Sequence, residues 1–198
     1  MTIKPVALDK MYRLLNHGPV TMLSAKHHDD VDVMSAAWVQ MLDFDKVSMV
    51  VDSATYTRKL FTKSGYVVVQ IPTAQQAALV LAVGSNTKNT NPAKVTQAGV
   101  EFVHIENADD HPFVAGAAAW LLVKLIDELE MAQKYDLFIG QVVGAWADDR
   151  VFRDGHWELE SVSDSLRPIH YVAGGQFYLT GKSLFVKVPH AMGENTED

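Results

Sequence analysis

Residues 33–58, VMSAAWVQMLDFDKVSMVVDSATYTR, constrain the fold of this chain more than any other stretch. Met34, Ser35, Ala36, Ala37 and Trp38 read as a strand with a thin, small-residue wall, the aspartates of LDFDK favour a turn, and VSMVV is a β-branched strand. Asp52, Ser53, Ala54 and Thr55 then make a hydroxyl-rich turn into a basic helix over Tyr56 to Ser64. Thr55 or Ser53 is its expected cap and Gly65 its left-handed stop. A chain that leaves a strand, presents hydroxyls and starts a helix builds a cradle for a phosphate. The first helical turn carries unpaired N–H donors and roughly half a positive charge. Thr57 adds a hydroxyl and Arg58 a guanidinium fork. The small side chains upstream let a flat group lie against the strand backbone. The same residues also suit a plainer arrangement, a capped helix with Arg58 in solvent and a strand packed closely on its neighbour.

The rest of the chain is organised by similar punctuation. A short helix is expected at 8–15, overlapping an N-terminal arm over 1–14, then a strand at 20–26 and a polar turn at 27–32. The strands of the central stretch are placed at 33–41 and 47–52. A strand with β-branched composition follows at 66–72. Thr73 with Gln76 matches a capping box for a helix at 74–83 closed by Gly84. A polar loop occupies 85–92, and a helical turn 93–98 ends at Gly99. Residues 117–131 are nearly balanced: Leu122, Leu125, Ile126 and Leu129 fit a helical face, whereas Leu121, Val123, Leu125, Leu129 and Met131 fit one face of a strand. Propensity narrowly favours the helix. A strand with glycine bends is expected at 136–148, a hairpin about Asp154-Gly155, a last strand at 174–181, and a polar tail at 188–198. Six or seven short strands with three short helices point to one mainly β domain over 1–198, a small closed barrel with helical inserts.

Composition excludes several classes. A formal charge of −7 argues against nucleic-acid partners, so a bound phosphate must be held by local dipoles and a few cations. With no cysteine, there are no disulfides, thiolate metal sites or cysteine nucleophiles. No apolar run reaches the ~18 residues of a membrane span, and the N-terminal residues lack a signal core. These features predict a cytoplasmic protein with small-molecule substrates. The run His27-His28-Asp29-Asp30 reads as an exposed turn rather than a metal site, because adjacent turn residues point in different directions. Glycine-rich dinucleotide, nucleophile-elbow and kinase signatures do not occur.

The segment 33–72, with its small-residue strand ending in Trp38, its Ser/Thr turn with Thr57-Arg58, and SGYVVVQIP at 64–72, resembles the flavin reductase-like, FMN-binding split-barrel family. Weaker likeness continues through Val83-Gly84-Ser85, through 136–143, and into 167–178, which is similar to the family's closing motif. The resemblance implies a split β-barrel, mainly β with short helices, in which 117–131 is a strand. It implies FMN, with the ring against Met34–Trp38 and the phosphate at the turn Asp52, Ser53, Ala54, Thr55, Thr57 and Arg58. Lys94 matches a family lysine, and His170 falls in the closing motif near the ring. It further implies NADH or NADPH as electron donor and a homodimer with the flavin near the interface. An FMN-binding electron carrier with little NAD(P)H activity, or a small barrel for another apolar ligand, uses the same cradle. Two departures stand out: Asp32 where the family has Asn, and a loop at 85–94 that lacks the family pattern.

Overall fold

The computed structural model describes residues 18–106 and 108–186. The expected arm at 1–14, the helix at 8–15 and the tail at 188–198 lie outside the described residues. In chain order the elements are β1 (Thr21–His27), β2 (Asp30–Ala36), β3 (Val39–Asp43), β4 (Lys46–Val50), α1 (Tyr56–Ser64), β5 (Tyr66–Ile71), α2 (Ala77–Ser85) and α3 (Lys94–Gln97). Then come β6 (Phe102–Val103), β7 (Phe113–Val114), β8 (Ala119–Leu125), α4 (Leu129–Tyr135), β9 (Leu137–Ala147), β10 (Phe152–Arg153), β11 (His156–Trp157), β12 (Ile169–Ala173) and β13 (Gln176–Leu179).

Seven strands form one antiparallel sheet in the order β2-β1-β5-β8-β9-β4-β3. The two edge strands, β2 and β3, are consecutive in sequence and separated only by Ala37 and Trp38. Laid flat, the edges of a seven-stranded sheet stand about 29 Å apart. Three Cα–Cα steps from Ala36 to Val39 span at most about 11 Å. The sheet must therefore curl until its edges nearly meet, leaving a split beside β2. This is the expected split barrel, and it corrects the single strand placed at 33–41.

Alternation along the strands sends residues to two separate cores. Leu23, Val67 and Val69 face inward with Val47, Met49 and Val123, and Phe61 of α1 plugs this core edge-on against Phe138. Met22 and Val33 face the other way and pack beneath Val80 and Val83 of α2. The edge strand β2 is thus held between α1 on one face and α2 on the other.

Other boundaries differ from the sequence expectation for identifiable reasons. The turn placed at 27–32 is a tight one at His28 and Asp29, with His28 at φ 56°, and Asp30 and Asp32 belong to β2. Their acidic side chains hide the strand pattern because their partners, Lys88 and Lys94, come from a distant loop. The helix expected at 74–83 begins as a single tight turn, Ala74–Gln76, where Gln76 Oε1 accepts the Thr73 N–H at 3.1 Å. It continues as α2 to Ser85, so Gly84 lies in its last turn instead of capping it. A Cβ at Gly84 would sit 2.0 Å from Ser35 Oγ, so the glycine lets α2 press directly on β2. Residues 117–131 are neither all helix nor all strand. β8 pairs on both sides, with β5 and β9, and α4 starts only at Leu129. The glycine-rich strand is β9, whose register shifts so that Leu122 faces Gly144 and Val123 faces Val142. The Asp154-Gly155 hairpin joins β10 to β11 with both turn residues at positive φ. At the end of the chain, Gly174 and Gly175 make the turn between β12 and β13, and β12 has no counterpart in the sequence expectation.

Candidate functional site

Three hollows run together along the free edge of β2, and Ser35 lines all of them. The first, about 300 Å³, lies between β2, the start of α1 and the loop after α2, with Asp32, Met34, Thr55, Thr57, Thr87 and Lys94 in its walls. The second, about 250 Å³, is bounded by Ala36, Ala37, Val80, Gly84 and Tyr171. The third, about 350 Å³, is bounded by Met34, Ala37, Trp38, Asp52, Asp136 and Tyr171. Because β2 is a sheet edge, alternate backbone groups along it have no strand partner. Ala36 and Ala37 keep the wall thin where the chain crosses between the sheet edges.

The first hollow ends on the N-terminus of α1. Thr55 occupies the cap position with extended backbone, yet its hydroxyl donates back to the Asp52 carbonyl at 2.8 Å and caps nothing. Asp52 is also engaged locally, its Oδ1 accepting the Ala54 N–H at 2.7 Å. No acidic side chain stands in the first turn of α1. The expected cap by Thr55 or Ser53 is therefore absent, and the first-turn N–H groups open on a hollow lined by Ala54, Thr55 and Tyr56.

Other sequence candidates have different roles from those expected. The Thr57 hydroxyl donates to Asp32 Oδ2 at 2.7 Å and is fully buried, so it braces the wall and is not free for a phosphate. Arg58 does not reach the groove. Its guanidinium donates to the Val51 carbonyl at 2.8 Å and the Ala132 carbonyl at 3.0 Å, pairs with Asp136, and lies over the Phe138 ring. Its ion-pair partner is the carboxylate that ends α4. Ser53 sits on the exposed turn outside the three hollows. His170 alternates with Tyr171 along β12, and it is Tyr171 that faces the groove.

Lys94, by contrast, is buried in the wall of the first hollow, its Nζ 3.2 Å from Asp32 Oδ1. Burial pushes the Lys94 pKa down, and the Asp32 carboxylate opposes that shift. One residue pair further along β2, Asp30 binds Lys88 and the Tyr56 hydroxyl. Asn89 donates to the Ala54 carbonyl at 2.7 Å. The unusual loop is thus tied to both β2 and the turn before α1. Asn86 and Thr87 belong to the loop set apart as departing from the family pattern, whereas Tyr171 and Asp136 escaped the sequence reading. For Tyr171 the signal was strand parity in IHYVA; for Asp136 it was absent.

A further hollow of about 390 Å³ lies by the β1–β2 turn, between Lys26, Asp29, His104 and His111. Its lysine is paired with Asp110, and it lacks both the helix terminus and the thin wall. Among the described residues no three His, Asp or Glu side chains are placed to hold a metal, and no helix is long and apolar enough to cross a membrane.

Comparison with known proteins agrees with this geometry. Residues 11–175 match the model of the flavin reductase like domain. The uncharacterised protein YddH of Escherichia coli strain K12 is 30% identical over 182 residues, covering 90% of this chain and 95% of that protein. The crystal structure of an FMN-binding domain of a flavin reductases-like enzyme from Shewanella baltica OS155 is 44% identical. It superposes with a TM-score of 0.83 over 92% of this chain and 96% of that one. Flavoredoxin of Desulfovibrio vulgaris (Miyazaki F), 22% identical, shares the fold with a TM-score of 0.71 over 87% of this chain and 91% of its own. A curled half-barrel with its groove on the free edge of β2, matched over most of its length by that domain model, places the chain in the flavin reductase-like family.

Proposed function

We propose that the protein binds FMN in the joined hollows along β2 and is an oxidoreductase of the flavin reductase type, passing electrons from NADH or NADPH to flavin or a downstream acceptor. The observation that carries this reading is the uncapped N-terminus of α1 opening into a groove continuous with the thin wall of β2. A flat ring and a phosphate need those two features side by side. The relative from Shewanella baltica is an FMN-binding domain, which supports the choice of flavin.

When bound, FMN supplies the electron chemistry, and the chain supplies position and electrostatics. Residues 34–38 would hold the ring through their backbone groups, and the small Ala36 and Ala37 would permit that approach. Trp38 and Tyr171 would border the ring end. Backbone N–H groups at the start of α1, the Thr87 hydroxyl and Lys94 would hold the phosphate. The protein works in the cytoplasm as a homodimer with the flavin near the interface. In support, the exposed apolar side chains of Met41, Leu42 and Phe44 follow directly from Trp38, which lines the third hollow.

Titration with FMN is the primary test: quenched flavin fluorescence and a raised melting temperature are expected. A protein that does neither has no flavin site. Mixing protein, FMN and NADH or NADPH without oxygen then reads the reaction by flavin bleaching. Bleaching no faster than without protein, in a chain that binds FMN, identifies an electron carrier instead of a reductase.

A further inference from the structure

Three cations around the phosphate end are each matched by a carboxylate, whereas Lys59 donates to Asn89 Oδ1 and lies over the Tyr56 ring. Arg58 is turned away to Asp136. Lys88, arriving on the loop after α2, is paired with Asp30 and donates to the Val31 carbonyl at 2.9 Å. Lys94 does line the hollow, but so does its counter-ion: the two side chains are 3% and 1% exposed and 3.2 Å apart. Asp32 Oδ2 is held by the Thr57 hydroxyl at 2.7 Å, whereas Oδ1 is buried and lies off the axis of any hydrogen bond. The first hollow therefore presents a positive helix terminus and hydroxyls, together with an ammonium whose charge is already cancelled.

We infer that Asp32 determines how tightly the phosphate end of the flavin is held: by neutralising Lys94 it lowers the affinity for FMN relative to riboflavin. The inference rests on the FMN reading above and concerns the phosphate alone. An incoming phosphate is attracted by Lys94 and repelled by Asp32 across similar distances, so the pair contributes little net attraction. In a partly solvated site of effective dielectric about 40, one unit charge ~6 Å away changes the affinity for another on the order of tenfold. Riboflavin, which has the same ring and no phosphate, is blind to this effect.

The test compares dissociation constants for FMN and riboflavin in the native protein, Asp32→Asn, Lys94→Met and the double variant. The preference for FMN over riboflavin is expected to rise on the order of tenfold in Asp32→Asn and to fall on the order of tenfold in Lys94→Met. In the double variant it returns to within about threefold of the native value. Asp32→Asn leaves a buried ammonium unpaired and is the variant at greatest risk of misfolding. If it does not fold, Lys94→Met against the double variant reads the Asp32 charge alone, and the preference rises when that charge is removed. FMN and riboflavin affinities that shift together in every variant mean a purely structural pair and overturn the inference, as does a fall in preference in Asp32→Asn. A native protein that binds neither flavin overturns the FMN reading itself. One that binds FMN with unchanged preference in all variants leaves that reading intact and overturns only the role of Asp32.

Discussion

Arg58 directs its donors to its own fold: two backbone carbonyls, Val51 and Ala132, the Asp136 carboxylate, and the face of Phe138. It joins the start of α1 to the end of α4 and to β9. Hydrogen bonds to a charged, largely buried group are worth ~1.5–3 kcal/mol each in favourable cases, and part is regained by water on truncation. Arg58→Ala is therefore expected to lower stability by about 2 kcal/mol and the melting temperature by roughly 4–8 °C. It should leave the preference for FMN over riboflavin unchanged. Calorimetry and paired flavin titrations check both halves, and a selective loss of FMN would return Arg58 to the phosphate. The sequence made Arg58 a phosphate candidate because Thr-Arg at a helix start is locally indistinguishable from an anion site. Its competitor, Asp136, lies 78 residues away in the chain.

At the level of elements, residues 101–106 and 108–116 are laid over the outer face of the sheet. Gln70 pins this layer by accepting the Val114 N–H, and its own His111 packs 5.1 Å from the Tyr66 ring of β5 and edge-on to Phe113. Burial holds the His111 pKa below the ordinary histidine value of 6.5, although Asp109 and Asp110 pull it back up. Between the folded pKa and 6.5 the unfolded chain binds more protons at this residue than the folded one. Its contribution is therefore complete above that window and is lost as the pH falls through it. The native protein is expected to lose more thermal stability than His111→Gln between about pH 7.5 and about pH 5.5, the range in which a histidine titrates. Melts at the two pH values check this, and equal losses would show that His111 is not the group responsible. This segment was not legible as structure. Its two-residue strands, Phe102–Val103 and Phe113–Val114, are too short to show a period. By contrast, α1, β5 and β9 were close to their expected places, because each combines composition with a clear stop or bend.

For the molecule as a whole, the hairpin of β3 and β4 carries Met41, Leu42 and Phe44 into solvent, with Val143 of β9 also exposed. Sedimentation equilibrium is expected to give twice the 21.9 kDa chain mass. Leu42→Glu combined with Phe44→Glu should reduce it to a single chain, since charge on an apolar face opposes its burial. A native protein that sediments as one chain would remove the homodimer. The sequence by itself determined the local pieces: the β-branched strands, the left-handed Gly65 and Asp154-Gly155, the thin wall at Ser35–Ala37 and the helix start at Tyr56. Each of these follows from the conformational preferences of residues adjacent in the chain. Only the tertiary structure decided that β2 and β3 are opposite edges of one curled sheet, that Thr55 leaves α1 uncapped, that Arg58 turns to Asp136, and that Lys94 meets Asp32. Apart from the Thr55 hydroxyl, which turns to Asp52 three residues back, these are competitions between partners distant in sequence, settled by burial and charge once the sheet has closed.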